Sequence, residues 1–327
     1  MVLSYEDIKM ITFGAVESLV DEAGIQFYRM PIKHIHHIQK NNEDYGVRAL
    51  STAGIAVDFY TDSNFFAFSY DDAQRASSRN WYYFSLYVDG KEWANIGEEK
   101  AELFCGNYCT DLPKGRKRIT LFFPNLFRVR LNKIELSDNA FFEPVKKERK
   151  VLFIGDSITQ GADAKCAANS YVNRFAYKTN SEVINAGIGG ARFEEYWIDS
   201  SFSYNPDIVI VALGTNAWKW NTKDCFQQTS DKLLKELAAL YCEKPIFMIL
   251  PIWREESYSE IFQGTFLEGR ELLAQTAKQY PQIRIINLWE DIPHDKKYYS
   301  DSVHPNNEGM EYFFNGFFNA LKAMNVL

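Results

Sequence analysis

Val151-Leu-Phe-Ile-Gly-Asp-Ser-Ile-Thr-Gln-Gly161 is the stretch from which the fold can be read. Its first four residues make a short continuous apolar run, as a buried parallel strand requires. Gly155 allows a tight turn, and Asp156 and Ser157 follow it directly. The chain beyond can run helical, which predicts Ser157 between the carboxyl end of a strand and the amino end of a helix. In open α/β sheets ligands bind at that edge, where free N–H groups and the helix dipole favour negative charge. A serine there is a candidate nucleophile. Ser and Asp are also ordinary helix N-caps, so the assignment depends on what later strands bring to the same edge.

Further apolar runs follow at 182–185, 207–213, 246–250 and 283–288, with helical stretches between them, clearest at 230–241 and 266–279. This alternation predicts an α/β domain, a parallel sheet covered by helices in a three-layer, flavodoxin-like arrangement. Upstream of the charged, proline-bearing segment 143–150 the pattern differs. Short aromatic or alternating runs at 25–30, 54–60, 65–70, 81–88, 118–123 and 127–131 are separated by turn signals such as Asp89-Gly90 and Pro113-Lys-Gly115. They predict an all-β, jelly-roll-like sandwich. The expected domains are residues 1–147 and 148–327.

At 327 residues the chain is long enough for both. Its 43 acidic against 36 basic residues argue against nucleic acid or an anionic membrane surface as partner. No signal peptide is visible in Met1-Val-Leu-Ser-Tyr-Glu-Asp-Ile-Lys9 and no apolar run has membrane-spanning length, so a cytoplasmic location is the expectation. Five scattered cysteines (105, 109, 166, 225 and 242) fit neither a disulfide framework nor a paired zinc site. His34, His36 and His37 lack an acidic or cysteine partner at a recognised spacing and read as ordinary surface. The aromatic residues of the first half read as sandwich core, with a carbohydrate-binding platform as the alternative.

The ends of the parallel strands carry the chemistry. The first delivers Gly155-Asp156-Ser157, the second Asn185-Ala-Gly-Ile-Gly-Gly190 and the third Gly214-Thr-Asn216. Near the carboxyl terminus comes Asp301-Ser-Val-His304-Pro305. A carboxylate and an imidazole at that spacing can hydrogen-bond across a turn and fix the imidazole tautomer. His304 can then accept the Ser157 proton, completing the groups needed for acyl transfer. Other motifs fail: there is no G-x-S-x-G or phosphate loop, and Arg192 occupies the third glycine's place in the dinucleotide fingerprint. Asp163, Glu194 and Glu195 make no recognised metal set with a histidine. No metal and no cofactor are expected.

The four blocks, in this order, resemble the SGNH (GDSL-type) hydrolase superfamily. The resemblance covers about residue 150 to 327 and implies Ser157 as nucleophile, His304 as base and Asp301 as its orienter. It implies an oxyanion hole from the Ser157 and Gly190 N–H groups and the Asn216 side chain, with Gly187 and Gly189 as competitors for the glycine role. Ala217 departs from the acidic residue that many members carry after Gly-Thr-Asn. A β-sandwich ahead of such a domain is similar to the layout of two-domain carbohydrate esterases. The expected activity is hydrolysis of short acyl esters, acetyl above all, on a small molecule or saccharide. The alternatives are a lysophospholipase or thioesterase, and a carbohydrate-binding protein with a secondary esterase site. Substrate contacts are expected from Asp156, Trp218, Trp253 and Arg254, with Trp220 nearby. Oligomeric state is not legible.

Overall fold

The computed structural model describes residues 1–102, 104–194, 204–259 and 264–327. The chain divides into two compact units, Met1–Glu148 with Lys165–Ala168, and Arg149–Ala164 with Asn169–Leu327.

The first unit holds two antiparallel sheets. One orders Thr12–Phe13, Ala56–Thr61, Lys117–Phe122, Tyr82–Val88 and Lys91–Glu98, with Phe142–Pro144 paired to Ala56–Thr61. The other orders Glu17–Val20, Ile25–Tyr28, Phe127–Leu136, Phe65–Arg75 and Gly106–Asp111. Rings from the two sheets meet in the core: Phe68 lies 5.1 Å from Phe84, Phe59 6.4 Å from Phe66, and Tyr82 4.8 Å from Phe127. These side chains are buried, so they form core and offer no face to a sugar. The Tyr70 and Tyr82 hydroxyls share one hydrogen bond at 3.0 Å, which offsets part of the cost of burying them. Three helices interrupt the all-β pattern, Tyr5–Met10, Ile32–Asn41 and Glu43–Ala49. The second of these carries the three histidines, and His34 is buried there, contrary to the surface expectation.

The second unit is the expected parallel α/β sheet, ordered Glu182–Gly187, Lys150–Gly155, Ile208–Ala212, Ile246–Ile249 and Ile283–Ile286. Numbered along this domain the order is 2-1-3-4-5, the flavodoxin-like sequence, whose switch point lies between the first and third strands. Helices Tyr171–Lys178 and Asn307–Ala323 pack on each other, as do Lys223–Leu240 and Phe266–Ala277. Phe153 of the first strand sits in a ring cluster with Phe175 (5.5 Å) and Phe317 (6.0 Å). Among the described residues no helix is long and apolar enough to cross a membrane.

Gly155 and Gly187 pair across the first and second strands at the carboxyl edge. A Cβ on Gly187 would lie 2.5 Å from the Gln160 backbone nitrogen and 2.8 Å from the Thr159 carbonyl carbon. Backbone atoms cannot swing aside as a flexible side chain can. Gly187→Ala is therefore expected to cost about 1–3 kcal/mol in chemical denaturation, as overpacking does, because it displaces the turn that carries Ser157. Unchanged stability would contradict this packing.

Candidate active site

The helix that follows the first strand is a single turn, Ser157–Gln160, capped by Asp156. The Asp156 side chain accepts the Ile158 N–H at 3.0 Å. Ser157 is thus the first helical residue and not the cap, so its hydroxyl is not spent on the helix. Gly161 ends the turn in left-handed conformation (φ +100°), a backbone state that glycine adopts without strain. A helix this short gives little macrodipole, so any anion at Ser157 would be met by individual N–H groups.

Two side chains fix the turn against the second strand. Asn185, fully buried, donates from Nδ2 to the Thr159 carbonyl at 2.7 Å and accepts the Gly187 N–H at 2.9 Å. Gln160 accepts the Gly189 N–H through Oε1 at 2.8 Å. The N–H groups of Gly187 and Gly189 are therefore committed to these acceptors. Gly190 follows with φ +81°, where the chain turns back through the Ala191 N–H to Ile188 carbonyl bond.

His304 stands between the short 3₁₀ turn Lys296–Tyr298 and the last helix, which Asn306 caps through bonds from the Glu308 and Gly309 N–H groups. Its Nε2 lies 2.8 Å from Ser157 Oγ, and its Nδ1 lies 2.8 Å from Asp301 Oδ2. An ionised carboxylate only accepts, so Nδ1 carries the hydrogen and Nε2 presents its lone pair to the serine. Asp301 Oδ1 accepts the backbone N–H groups of Val303 and His304, both at 2.8 Å. Burial pushes the Asp301 carboxyl up, but those bonds and the imidazole outweigh it and hold the group well below the usual carboxylate range. Ser157, His304 and Asp301 thus form one hydrogen-bonded line. Asn216, from the helix Thr215–Trp220, donates one amide hydrogen to the Ala191 carbonyl at 3.2 Å. That bond ties the third strand's end to the glycine block and leaves Nδ2 a second hydrogen.

Asp163, for which the sequence offers no recognised metal set, also reaches the imidazole. Its Oδ2 lies 3.6 Å from His304 Nδ1. The sequence carried no signal for this, because the two residues are far apart in the chain and the backbone between Ser157 and Asp163 bends at two left-handed residues, Gly161 and Asp163 itself (φ +63°). Glu195 lies outside the described residues. Ligand-type atoms of Asp163, Asp301 and His304 fall within 4.8 Å of one another. Both imidazole nitrogens are already engaged within the chain, Nε2 with Ser157 and Nδ1 with Asp301.

The expected substrate contacts need correction. Trp218 is packed into the core, edge-on to Phe226 at 5.2 Å, with Gly269 so close that a Cβ there would fall 2.5 Å from the indole. Trp253 is buried with its ring stacked on His294 at 5.6 Å and Tyr299 against it at 5.0 Å. Arg254 is buried and donates to the Thr215 carbonyl at 3.1 Å and to Glu256 at 2.7 Å. It acts as a clamp between loops and offers no open guanidinium. Asp156 is buried as a cap. The Trp220 side chain lies outside the described residues.

With the geometry in place, comparison with known proteins bears on the second unit. Residues 153–312 match the model of the GDSL-like lipase/acylhydrolase family. These residues form a GDSL-like lipase/acylhydrolase domain. The chain is accordingly an ester-hydrolysing enzyme. No curated protein matches it in sequence. Among solved structures, a salicylyl-acyltransferase from a tetracycline biosynthetic pathway is similar over 100% of this chain and 98% of its own, with TM-score 0.85 and 17% identity. A family two carbohydrate esterase from Clostridium thermocellum, solved with cellohexaose, matches 97% of this chain and 100% of its own (TM-score 0.69, 15% identity). An acetyl xylan esterase from Butyrivibrio proteoclasticus matches 83% of this chain and 90% of its own (TM-score 0.59, 14% identity). At these identities the likeness is one of fold, a β-rich unit ahead of the GDSL domain.

Burial pushes the Asp156 carboxyl up to about 6, against the partial relief given by the Ile158 N–H, His304 and Arg254. It lines a cavity of about 20 Å³ with Ile158, Thr215 and Phe313 among its walls, room for about one water. A folded-state pKa above the unfolded one means that ionisation destabilises the fold. The penalty is absent below about pH 4 and complete above about pH 6. Asp156→Asn keeps an oxygen for the cap and removes the charge. The variant should be more stable than the parent at pH 7, by on the order of 3 kcal/mol, with the gap closing below pH 4 in thermal or urea unfolding. A gap that stays the same at both pH values would contradict this account.

Proposed function

We propose that the protein is a serine esterase that removes short acyl groups, acetyl first, from a carbohydrate or other small alcohol. The observation that carries this reading is the line from Ser157 Oγ to His304 Nε2 and from His304 Nδ1 to Asp301, each step 2.8 Å. Ser157 attacks the ester carbonyl as its proton passes to Nε2. Negative charge then develops on the carbonyl oxygen and is received by the N–H groups of Ser157 and Gly190 and the second Asn216 hydrogen. Asp301 holds the imidazolium, which returns the proton to the leaving alcohol oxygen. An acyl-enzyme remains, and water activated by the same imidazole hydrolyses it.

The saccharide half of the reading is supported by the fold likeness to carbohydrate esterases, one of them solved with cellohexaose. The acetyl half is supported by the likeness to an acetyl xylan esterase. Trp218 and Trp253 are buried, so the acetyl reading does not draw on their indoles. A second reading, acyl transfer to an alcohol in place of water, is favoured by the full-length likeness to the salicylyl-acyltransferase. Both share the acyl-enzyme and differ only in what attacks it.

Ser157→Ala should lower kcat on a chromogenic acetate ester by about 10⁶ while the unfolding transition stays in place. In a series of acyl chain lengths, kcat/KM should be higher for acetyl than for octanoyl esters. Rates that rise with chain length would reveal an apolar channel, each buried methylene adding about 0.8 kcal/mol, and would move the assignment to a lysophospholipase or thioesterase. Adding an alcohol acceptor and analysing products separates the two fates: free acid marks the hydrolase, a new ester the transferase.

A further inference from the structure

The hydrogen-bonded relay leaves one carboxylate at His304 unexplained. Asp163 follows the nucleophile turn, and its Oδ2 comes to 3.6 Å from Nδ1 with its side chain 1% exposed. Nδ1 has one hydrogen, which Asp301 Oδ2 takes at 2.8 Å. A separation of 3.6 Å is beyond a proper N–H···O bond, so Asp163 acts on the imidazole through charge. The Asp301 side chain is 38% exposed, and water screens it. The enclosed Asp163 is screened far less. Asp156, the cap of the nucleophile turn, also feels the charges of His304 and Arg254.

We propose that Asp163 is a positioning residue for the reaction at Ser157, a second carboxylate whose buried charge stabilises the imidazolium that His304 becomes. The inference rests on the reading of Ser157 as nucleophile. The proton still travels from Ser157 Oγ to Nε2 and on to the leaving oxygen, and neither carboxylate takes it. Two carboxylates, one exposed and one enclosed, then share one developing positive charge.

The test is the pH profile of the full chain on an acetate ester. Asp163 favours protonated His304, and activity needs His304 neutral. Asp163→Asn should therefore move the acid limb of kcat/KM to lower pH by about one unit, and lower kcat about tenfold with KM unchanged. A merely structural role would leave the limb in place, and a limb that stays or moves upward overturns the proposal. If Asp163→Asn does not fold, Asp301→Ala carries the test with Asp163 intact. Its kcat should fall by about 10² or less, whereas a loss of about 10⁴, the cost of disabling a lone triad carboxylate, overturns the proposal. Ser157→Ala in the same assay separates the two readings. If that variant keeps the parent rate, the nucleophile assignment falls and this inference with it. If it is inactive while the Asp163→Asn limb stays put, this inference alone falls.

Discussion

The nucleophile turn rests directly on the end of the second strand, and everything at the site is measured from that contact. Gly187 has no side chain where the Gln160 backbone nitrogen passes. The closeness lets Asn185 reach the Thr159 carbonyl and lets Gln160 reach the Gly189 N–H. The turn, the glycine block and the first two strands become one rigid piece. Asn216 joins the third strand to it through the Ala191 carbonyl. Only then does a histidine from the far end of the chain find the serine at hydrogen-bond distance. A site built on strand ends in this way is placed more accurately than one built on free loops.

Three carboxylates surround this histidine, and burial gives each a different part. Asp156 is enclosed and spends its oxygen on the helix cap, so burial works against its charge. Asp301 lies near solvent but is held ionised by the Val303 and His304 N–H groups. Asp163 is enclosed and faces Nδ1 without the hydrogen bond. The chemistry asks for an imidazole that is neutral before the attack and stabilised when protonated. Carboxylates beside Nδ1 meet the second need, and the serine hydroxyl at Nε2 uses the first.

The parallel sheet was legible because fully buried strands leave continuous apolar runs, and the first three runs end in residues with a chemical use. Ser157, the glycine block and Asn216 meet because those strand ends share one edge, and the loop ahead of the last helix brings Asp301 and His304 to them. The three helices of the first unit were not legible. Ile32–Asn41 opens after Pro31, and its three isoleucines at three-residue spacing are set among histidines and lysines next to the aromatic strand Ile25–Tyr28, which masked the helical period. Side-chain direction was also hidden: Trp218 and Trp253 leave the sheet at the correct edge, yet both turn inward. The approach of Asp163 to His304 was hidden because the two are distant in sequence. Strand ends can be read from patterns, but the turn of a loop residue depends on backbone geometry that patterns do not carry.

The central claim is that Ser157 forms the covalent bond to the acyl group. The direct measurement is to treat the full chain with a fluorophosphonate, digest it and locate the adduct by peptide mass spectrometry. The account predicts one phosphonyl group on Ser157, formed at the rate at which esterase activity is lost and blocked by prior incubation with an ester substrate. Activity lost with the adduct on another residue, and Ser157 unmodified, would contradict it.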